Sequence, residues 1–265
     1  MTDRIPDVGI GTYENSDPEV CAESVATALD AGYRHVDTAE MYGNEAAVGE
    51  GIARADVDRE DVFVATKIDS SNLAYDDALA SAEACLDRLG VESVDLLYVH
   101  WPIRTYDPEE TLAAFDELYD RGLVRNVGLS NFTPDLLDEA IDRLDAPLAA
   151  HQVECHPLLP QDELRAHADE HGYRLVAYSP LAKGRVLEMP ELVELAEEND
   201  ATPAEVSLAW LLAKGAAVIP KSSSSDHIRE NLAARDLTLD AEELARIDAI
   251  DHRERQVDFD AAPWN

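Results

Sequence analysis

Short runs of β-branched and apolar residues recur along the chain, separated by segments whose apolar positions repeat with a helical period. The runs are VGIGT (8–12), RHVD (34–37), VFVATK (62–67), VDLLYVH (94–100), VRNVGLS (124–130), AAHQVE (149–154), YRLVAYS (173–179) and AAVIP (216–220). Between them lie PEVCAESVATALDAG, YDDALASAEACLDRLG, PDLLDEAIDRL and similar stretches. Strands alternating with helices call for parallel pairing through crossovers. Eight such units predict an α/β fold, a (β/α)8 TIM barrel, as one domain spanning 1–265. Two helices exceed the eight-unit count, PAEVSLAWLLAKG before the last strand and DAEELARIDAI near the C-terminus. The competing doubly wound sheet would carry a glycine-rich turn after its first strand. Here the first strand reads GIGTYE, with Glu14 where the third glycine would stand.

Composition narrows the setting. Acidic residues number 56 against 21 basic ones, a formal net charge of −35 spread along the whole chain. Such a surface repels nucleic-acid phosphates and anionic membranes. Its even distribution argues for a hydrated surface in a salt-rich cytoplasm, where screening damps self-repulsion. No apolar run is long enough for a transmembrane helix, and no basic-then-apolar leader is visible. The expectation is a cytoplasmic monomer binding neither nucleic acid nor membrane. Cys21, Cys85 and Cys155 form no CxxC pair, as suits reduced thiols. Lysine occurs only at 67, 183, 214 and 221, so each lysine asks for a reason.

In a barrel, chemistry gathers at the C-terminal ends of strands. Those ends carry Asp37 with Tyr42 in the following loop, Lys67, His100 with Trp101, Ser130 with Asn131, Gln152, Tyr178 with Ser179, and Lys221 with Ser222. The four ionisable groups make sense together. A phenol is a poor acid at neutral pH unless a nearby ammonium stabilises its phenolate. Lys67 can supply that charge, Asp37 can keep Lys67 charged, and His100 can donate to a carbonyl oxygen while Tyr42 protonates it. A hydride must then come from a nicotinamide. Other groupings lead nowhere. His167 and His171 lie one helical turn apart in HADEH, not HExxH, and His151 and His156 straddle a strand end, so no metal site is expected. Asn131-Phe132-Thr133 matches a glycosylation sequon without a secretory leader to use it.

GYRHVDTAEMYGNEAAVG (32–49), LDRLGVESVDLLYVHWP (86–102) and IPKSSSSDHIREN (219–231) resemble the three signature segments of the aldo-keto reductase family, in its short prokaryotic, 2,5-diketo-gluconate reductase-like form. GLSNF (128–132), HQVECHPLL (151–159) and AYSPL (177–181) are similar to its cofactor-binding strand ends. The resemblance implies NADP(H), with NAD(H) as a second cofactor, reversible reduction of carbonyls to alcohols, and the tetrad Asp37, Tyr42, Lys67 and His100. It implies that Ser130, Asn131 and Gln152 hold the nicotinamide carboxamide and Tyr178 stacks on the ring. Ser179, Leu181 and their backbone fall to the pyrophosphate, Lys221 and Ser222 to the 2′-phosphate, Glu230 and Asn231 to the adenine. Where the family has an arginine six residues after the cofactor lysine, this chain has His227. An imidazole reads phosphate less firmly, because it holds its charge only on the acid side of neutrality.

Two other readings compete: an NADP(H)-binding regulatory subunit with little turnover, and a barrel aldolase using Lys67 as a Schiff base. The intact tetrad favours the reductase. Tyr13, Trp101 and Trp264 suggest an aromatic pocket wall, and the short segments after strand 4 and after Asp251 suggest an open pocket. The charge carries its own test. The melting temperature is expected to rise steeply from dilute buffer to molar KCl in a thermal-unfolding series; a flat series would remove the salt-adapted reading.

Overall fold

In a computed structural model, which describes residues 5–265, eight parallel strands follow one another around a barrel in sequence order. The chain runs β1 (Ile10–Gly11), α1 (Pro18–Ala31), β2 (His35–Asp37), α2 (Glu45–Arg54), β3 (Phe63–Ile68), α3 (Tyr75–Leu89), β4 (Leu96–Val99), α4 (Pro108–Asp120), β5 (Val127–Ser130), α5 (Pro134–Arg143), β6 (Leu148–Glu154), α6 (Asp162–His171), β7 (Arg174–Tyr178), α7 (Pro190–Glu198), α8 (Pro203–Ala213), β8 (Ala217–Val218), α9 (Ser225–Ala233) and α10 (Ala241–Asp248). The ring closes between its first and last strands through parallel bridges Val8 to Val218 and Gly11 to Lys221. Closure needs glycine at 11, since a Cβ there would stand 2.7 Å from the Ile219 carbonyl oxygen.

Helix starts follow the sequence closely. Asp17-Pro18 and Asp107-Pro108 place an aspartate at the N-cap and proline in the first turn. Thr202 with Glu205, and Asp240 with Glu243, form reciprocal capping boxes. The supernumerary helices are α8 and α10. They are tied together by Trp210 Nε1 donating to Asp248 at 2.9 Å and by the Lys214–Asp248 ion pair at 2.5 Å.

The two-residue period of the strands sorts residues between two cores. Val36, Val64, Leu97, Val99, Leu129, Val153, Leu175 and Val218 face the helices in the larger apolar layer. Phe63, Ala65, Leu96, Tyr98, Ala150, Val176, Ala217 and Ile219 fill the barrel interior. Gly128 makes room there, because a Cβ would fall 2.5 Å from the Tyr98 ring. The inward alternation continues upward on every strand. Asp37 follows His35, Lys67 follows Ala65, His100 follows Tyr98, Ser130 follows Gly128, Gln152 follows Ala150 and Tyr178 follows Val176. One parity rule thus carries the strand-end polar groups to one mouth. Strand 3 runs one residue further than its sequence pattern suggests, to Ile68, so Lys67 sits inside the barrel and is fully buried.

The opposite end of the barrel holds a second polar group. His35 is fully buried, edge-on to Phe63 at 5.2 Å, and neither ring nitrogen has a partner. Burial depresses its pKa to about 4, against the pull of Asp37. The folded protein therefore keeps His35 neutral where the unfolded chain, near 6.5, would bind a proton. Stability from this residue is intact above pH 6.5 and is lost as the pH falls from there toward 4, by about 3 kcal/mol in all. Denaturant unfolding of the wild type and a His35→Leu variant at pH 7 and pH 4.5 should show the wild type losing about 2 kcal/mol more than the variant. Equal losses would show that the imidazole takes up its proton without opening the fold.

Candidate active site

The four ionisable residues meet at the mouth of the barrel. Lys67 Nζ lies 2.5 Å from Asp37 Oδ1 and donates a second hydrogen bond to the Thr38 carbonyl at 2.7 Å. The same ammonium stands 5.2 Å from the centroid of the Tyr42 ring. Tyr42 meets the His100 imidazole edge to face at 5.8 Å and the Tyr13 ring at 5.1 Å. A cavity of about 330 Å³ opens over this group. It is lined by Asp37, Tyr42 and His100, by Ser130, Asn131, Gln152, Tyr178, Ser179 and Lys221, and by Tyr13 and Trp101. A larger hollow of about 630 Å³ lies among Ile5, Leu148 and Arg174, at the N-terminal ends of the strands, and touches none of these groups. The chemistry belongs to the smaller one, because barrels place reacting groups at the other end.

Burial sets the protonation states. It pushes the Lys67 ammonium below its ordinary range, while Asp37 holds it up. It pushes the Tyr42 phenol well above 10, with the Asp37 charge acting the same way. The lysine was expected from sequence to lower the tyrosine. In the structure, desolvation and the carboxylate outweigh the ammonium, so the resting phenol keeps its proton firmly. Burial, aided by Lys67, holds His100 well below its usual value and hence neutral. A neutral imidazole offers one N–H donor and carries no charge into the cavity.

The polar residues from β5, β6 and β7 are bonded to one another. Gln152 Nε2 donates to Asp37 Oδ2 at 2.8 Å, extending the ion pair across the barrel. Ser130 Oγ donates to the Gln152 carbonyl, and Asn131 Nδ2 donates to the His100 carbonyl and to Ser130 Oγ. Tyr178 Oη donates to Asn131 Oδ1 at 2.9 Å, which fixes the plane of its ring. Asn131 (φ 65°) and Ser179 (φ 47°) both adopt left-handed backbone immediately after their strands. That conformation is costly for residues with a side chain, and such strain gathers at working sites. Leu181, Ser222, His227, Glu230 and Asn231 do not line the cavity. They stand on the loop after β7 and on the segment through α9, with Ser222 and Asn231 buried and His227 exposed.

The Tyr42 loop has supports that sequence patterns did not single out. Glu40 accepts from Asp69 N, Asn72 Nδ2 and Ser81 Oγ, which ties the short turn bearing Tyr42 to β3 and α3. Asn44 accepts from Thr38 Oγ1 and donates to the carbonyls of Thr12 and Asn15. His151 accepts from Phe132 N while His156 bonds Glu154, so their nitrogens serve separate partners. His167 and His171 stack at 4.2 Å and 20°, beside the Asp138 carboxylate on the outer helices. One nitrogen of each ring and the Asp138 carboxylate lie within 4.8 Å of one another, a convergence that the HADEH spacing did not announce.

One expectation is overturned. The tail after Asp251 does not leave the pocket open. It crosses the rim as a strap, and Gln256, Val257 and Asp258 line the cavity. Its fastening is Glu154, the last residue of β6 and fully buried. Glu154 Oε1 accepts from Gln256 N at 2.6 Å and meets His156 Nε2 at 2.8 Å, and Oε2 accepts from Val257 N at 2.8 Å. Beyond Asp258 the strap lands on Trp101, where Phe259 (4.9 Å) and Trp264 (5.6 Å) pack against the indole. Trp264 therefore supports the wall from outside while Trp101 lines it. A charged residue at an inward position of β6 was the one available signal, and its partners lie about a hundred residues away.

The sequence matches the Aldo/keto reductase family over residues 7–252. It is 41% identical over 252 residues to an aldo-keto reductase of Mycolicibacterium vanbaalenii, covering 95% of this chain and 90% of that one. It is 40% identical over 256 residues to methylglyoxal reductase DkgB of Escherichia coli O157:H7, covering 96% of each. Among solved structures, an aldose reductase from Schistosoma japonicum superposes with a TM-score of 0.92 at 32% identity, covering 96% of this chain and 91% of that chain. A structure named for a 2,5-diketo-D-gluconic acid reductase B does so with a TM-score of 0.92 at 37% identity, covering 97% and 92%.

The strap's fastening can be tested on its own. Hydrogen bonds to a charged acceptor contribute about 2 kcal/mol each. Glu154→Gln removes the charge at constant size, so amide exchange at Gln256 and Val257 should accelerate by ~30-fold, the equivalent of about 2 kcal/mol. Unchanged exchange at both amides would mean that the Trp101 contacts alone hold the strap.

Proposed function

The chain belongs to the Aldo/keto reductase family and is an NAD(P)H-dependent oxidoreductase acting on carbonyl groups; from that premise we propose an NADP(H)-linked reductase in which Tyr42 gives and takes the proton. The observation that carries the proposal is the meeting of Asp37, Tyr42, Lys67 and His100 at one small cavity. A bound nicotinamide supplies the hydride. Neutral His100 donates its N–H to the carbonyl oxygen and orients it toward Tyr42. As negative charge grows on that oxygen, the phenol proton moves to it from Tyr42 Oη. The Lys67 ammonium stabilises the phenolate left behind, and Asp37 keeps Lys67 charged in spite of burial. These charges are held in place beforehand and need no reorganisation as the reaction proceeds. In the reverse direction the phenolate takes the alcohol proton.

The remaining residues fit a dinucleotide. The side-chain donors of Ser130, Asn131 and Gln152 are engaged within the protein, which leaves lone pairs on the Gln152 and Asn131 amide oxygens to accept a carboxamide N–H2. Tyr178, fixed by Asn131, presents a ring face for stacking. Ser179 and Leu181 reach the pyrophosphate, Lys221 and Ser222 the 2′-phosphate, and Glu230 and Asn231 the adenine. Lys221 and the serines lead into α9, whose N-terminus favours anions. His227 in place of arginine leaves room for NAD(H). The relatives' names span a neutral ketoaldehyde and a sugar acid, so the substrate is taken as a small aldehyde or ketone and its alcohol. The protein is read as a cytoplasmic monomer that binds neither nucleic acid nor membrane. Its net charge of −35 disfavours nucleic acid and anionic membranes as partners, and among the described residues no helix is long and apolar enough to cross a membrane.

Tyr42→Phe keeps the ring and removes the proton. Carbonyl reduction should fall at least ~100-fold while NADPH binding, followed by fluorescence quenching, persists. Lys67→Met should act in the same direction. Near-normal turnover in Tyr42→Phe would overturn the mechanism.

A further inference from the structure

One cluster of ligating side chains plays no part in the reaction. His167 and His171 stand one turn apart toward the C-terminal end of α6, and Asp138 reaches them from α5. The imidazoles stack at 4.2 Å and 20°, and both present Nε2 to the same carboxylate oxygen. Asp138 Oδ1 lies 3.0 Å from His167 Nε2 and 3.7 Å from His171 Nε2. None of the three lines the cavity over Tyr42, and His171 lines the hollow at the opposite end of the barrel. HADEH lacks the glutamate that follows the first histidine of HExxH. That glutamate serves as a base, whereas holding an ion needs only the spaced histidines and a third ligand.

These separations suit a metal ion. Zinc takes imidazole nitrogen and carboxylate oxygen at about 2.0–2.2 Å in a tetrahedral array, which sets its ligands about 3.4 Å apart. The two nitrogen–oxygen distances bracket that value. His167 is supported from behind, where its Nδ1 meets the oxygen of the buried Tyr173 at 2.7 Å. Burial and the Asp138 charge push the Tyr173 pKa above its ordinary value, so the phenol stays neutral. Its oxygen can accept the Nδ1 proton, which leaves the Nε2 lone pair free for an ion. The arginines of the two helices are engaged elsewhere, Arg143 with Glu139 at 3.1 Å and Arg165 with Asp162 at 3.0 Å. The last turn of α6, closed by Gly172 in left-handed backbone, adds the negative end of the helix dipole.

We propose that Asp138, His167 and His171 form a binding site for a divalent transition-metal ion of the zinc class, which clamps α5 to α6 and leaves a fourth position to water. The site is independent of the carbonyl-reductase reading. Imidazole nitrogen favours zinc, nickel or copper over magnesium and calcium, which take oxygen ligands. The same preference separates this site from the acidic surface at large. Molar salt screens carboxylates that draw cations from a distance, but it does not screen a bond to a nitrogen lone pair.

The test uses the full-length chain without a histidine tag, stripped with a chelator and held in molar KCl at about pH 7.5, where free imidazole is neutral. Equilibrium dialysis against ZnCl2 should give one zinc per chain. About 100 µM ZnCl2, some ~100-fold above Kd, should raise the melting temperature by about 5 °C. The same concentration of MgCl2 should leave it unchanged. His171→Ala and Asp138→Asn alter exposed side chains, so both variants should fold, and each should weaken zinc binding at least ~10-fold. Tyr173→Phe removes only the oxygen behind His167 and should weaken binding by about 10-fold. A wild type that takes up no zinc would overturn the proposal. So would zinc held equally by the wild type, His171→Ala and Asp138→Asn, which would mean an adventitious ion only. Binding lost in His171→Ala but kept in Asp138→Asn would overturn the three-ligand site, since the ion would not then join the two helices.

Discussion

The Lys67–Asp37 ion pair is the contact on which the site depends. Both side chains sit inside a barrel of apolar residues, one strand apart, and both are almost wholly buried. Burying a charge costs several kcal/mol unless it is paired and its remaining hydrogen-bonding capacity is met. The barrel meets it. The Thr38 carbonyl accepts a second hydrogen bond from the ammonium, and Gln152 Nε2 donates across the mouth to the other carboxylate oxygen. Removing either partner would strand a charge in the core at a cost of about 3–5 kcal/mol. Parity extends the same order around the ring, since β4, β5 and β7 bring His100, Ser130 and Tyr178 inward as β2 and β3 bring Asp37 and Lys67. The pair also explains the protonation pattern around it: Lys67 helps keep His100 neutral, and Asp37 helps keep the proton on Tyr42.

A second buried carboxylate organises the rim. Glu154 closes β6 as Asp37 closes β2, but its partners are backbone amides of a distant strap. One carboxylate anchors the buried lysine and the other holds the strap at the entrance. The protein's few lysines follow a similar economy. Three of the four, at 67, 183 and 221, lie in the ion pair or along the cavity, and the fourth binds α10 to α8. On a surface this acidic, the two lysines along the cavity make its mouth a local patch of positive charge.

Much of this was readable from the chain. Alternating β-branched and helix-period segments specified eight units and two added helices, because burial of one strand face and one helix stripe leaves little freedom in the pattern. Asp-Pro and Thr-x-x-Glu signals marked helix starts, because local hydrogen bonds decide them. Asp37, Lys67 and His100 were legible as one group because each sits at or next to a strand end, where the two-residue period dictates its direction, whereas Tyr42 stands on the short turn after β2. Strand ends were read less well. Lys67 proved to be interior, since the last turn of a strand is set by its neighbours' hydrogen bonds and not by its own residues.

The strap was not legible. Residues 251–265 have no periodicity and read as a short polar tail, and their path is set by Glu154 and Trp101, both more than a hundred positions earlier. Protonation states were equally out of reach: the residue types suggested that Lys67 would lower the Tyr42 pKa, whereas desolvation and Asp37 raise it. By itself the sequence determined the architecture and which polar strand-end groups face the mouth of the barrel, because those follow from local period and local hydrogen bonding. Only the tertiary structure decided how those groups are charged at rest and what roofs the cavity above them, because desolvation and long-range contacts exist only once distant segments are packed together.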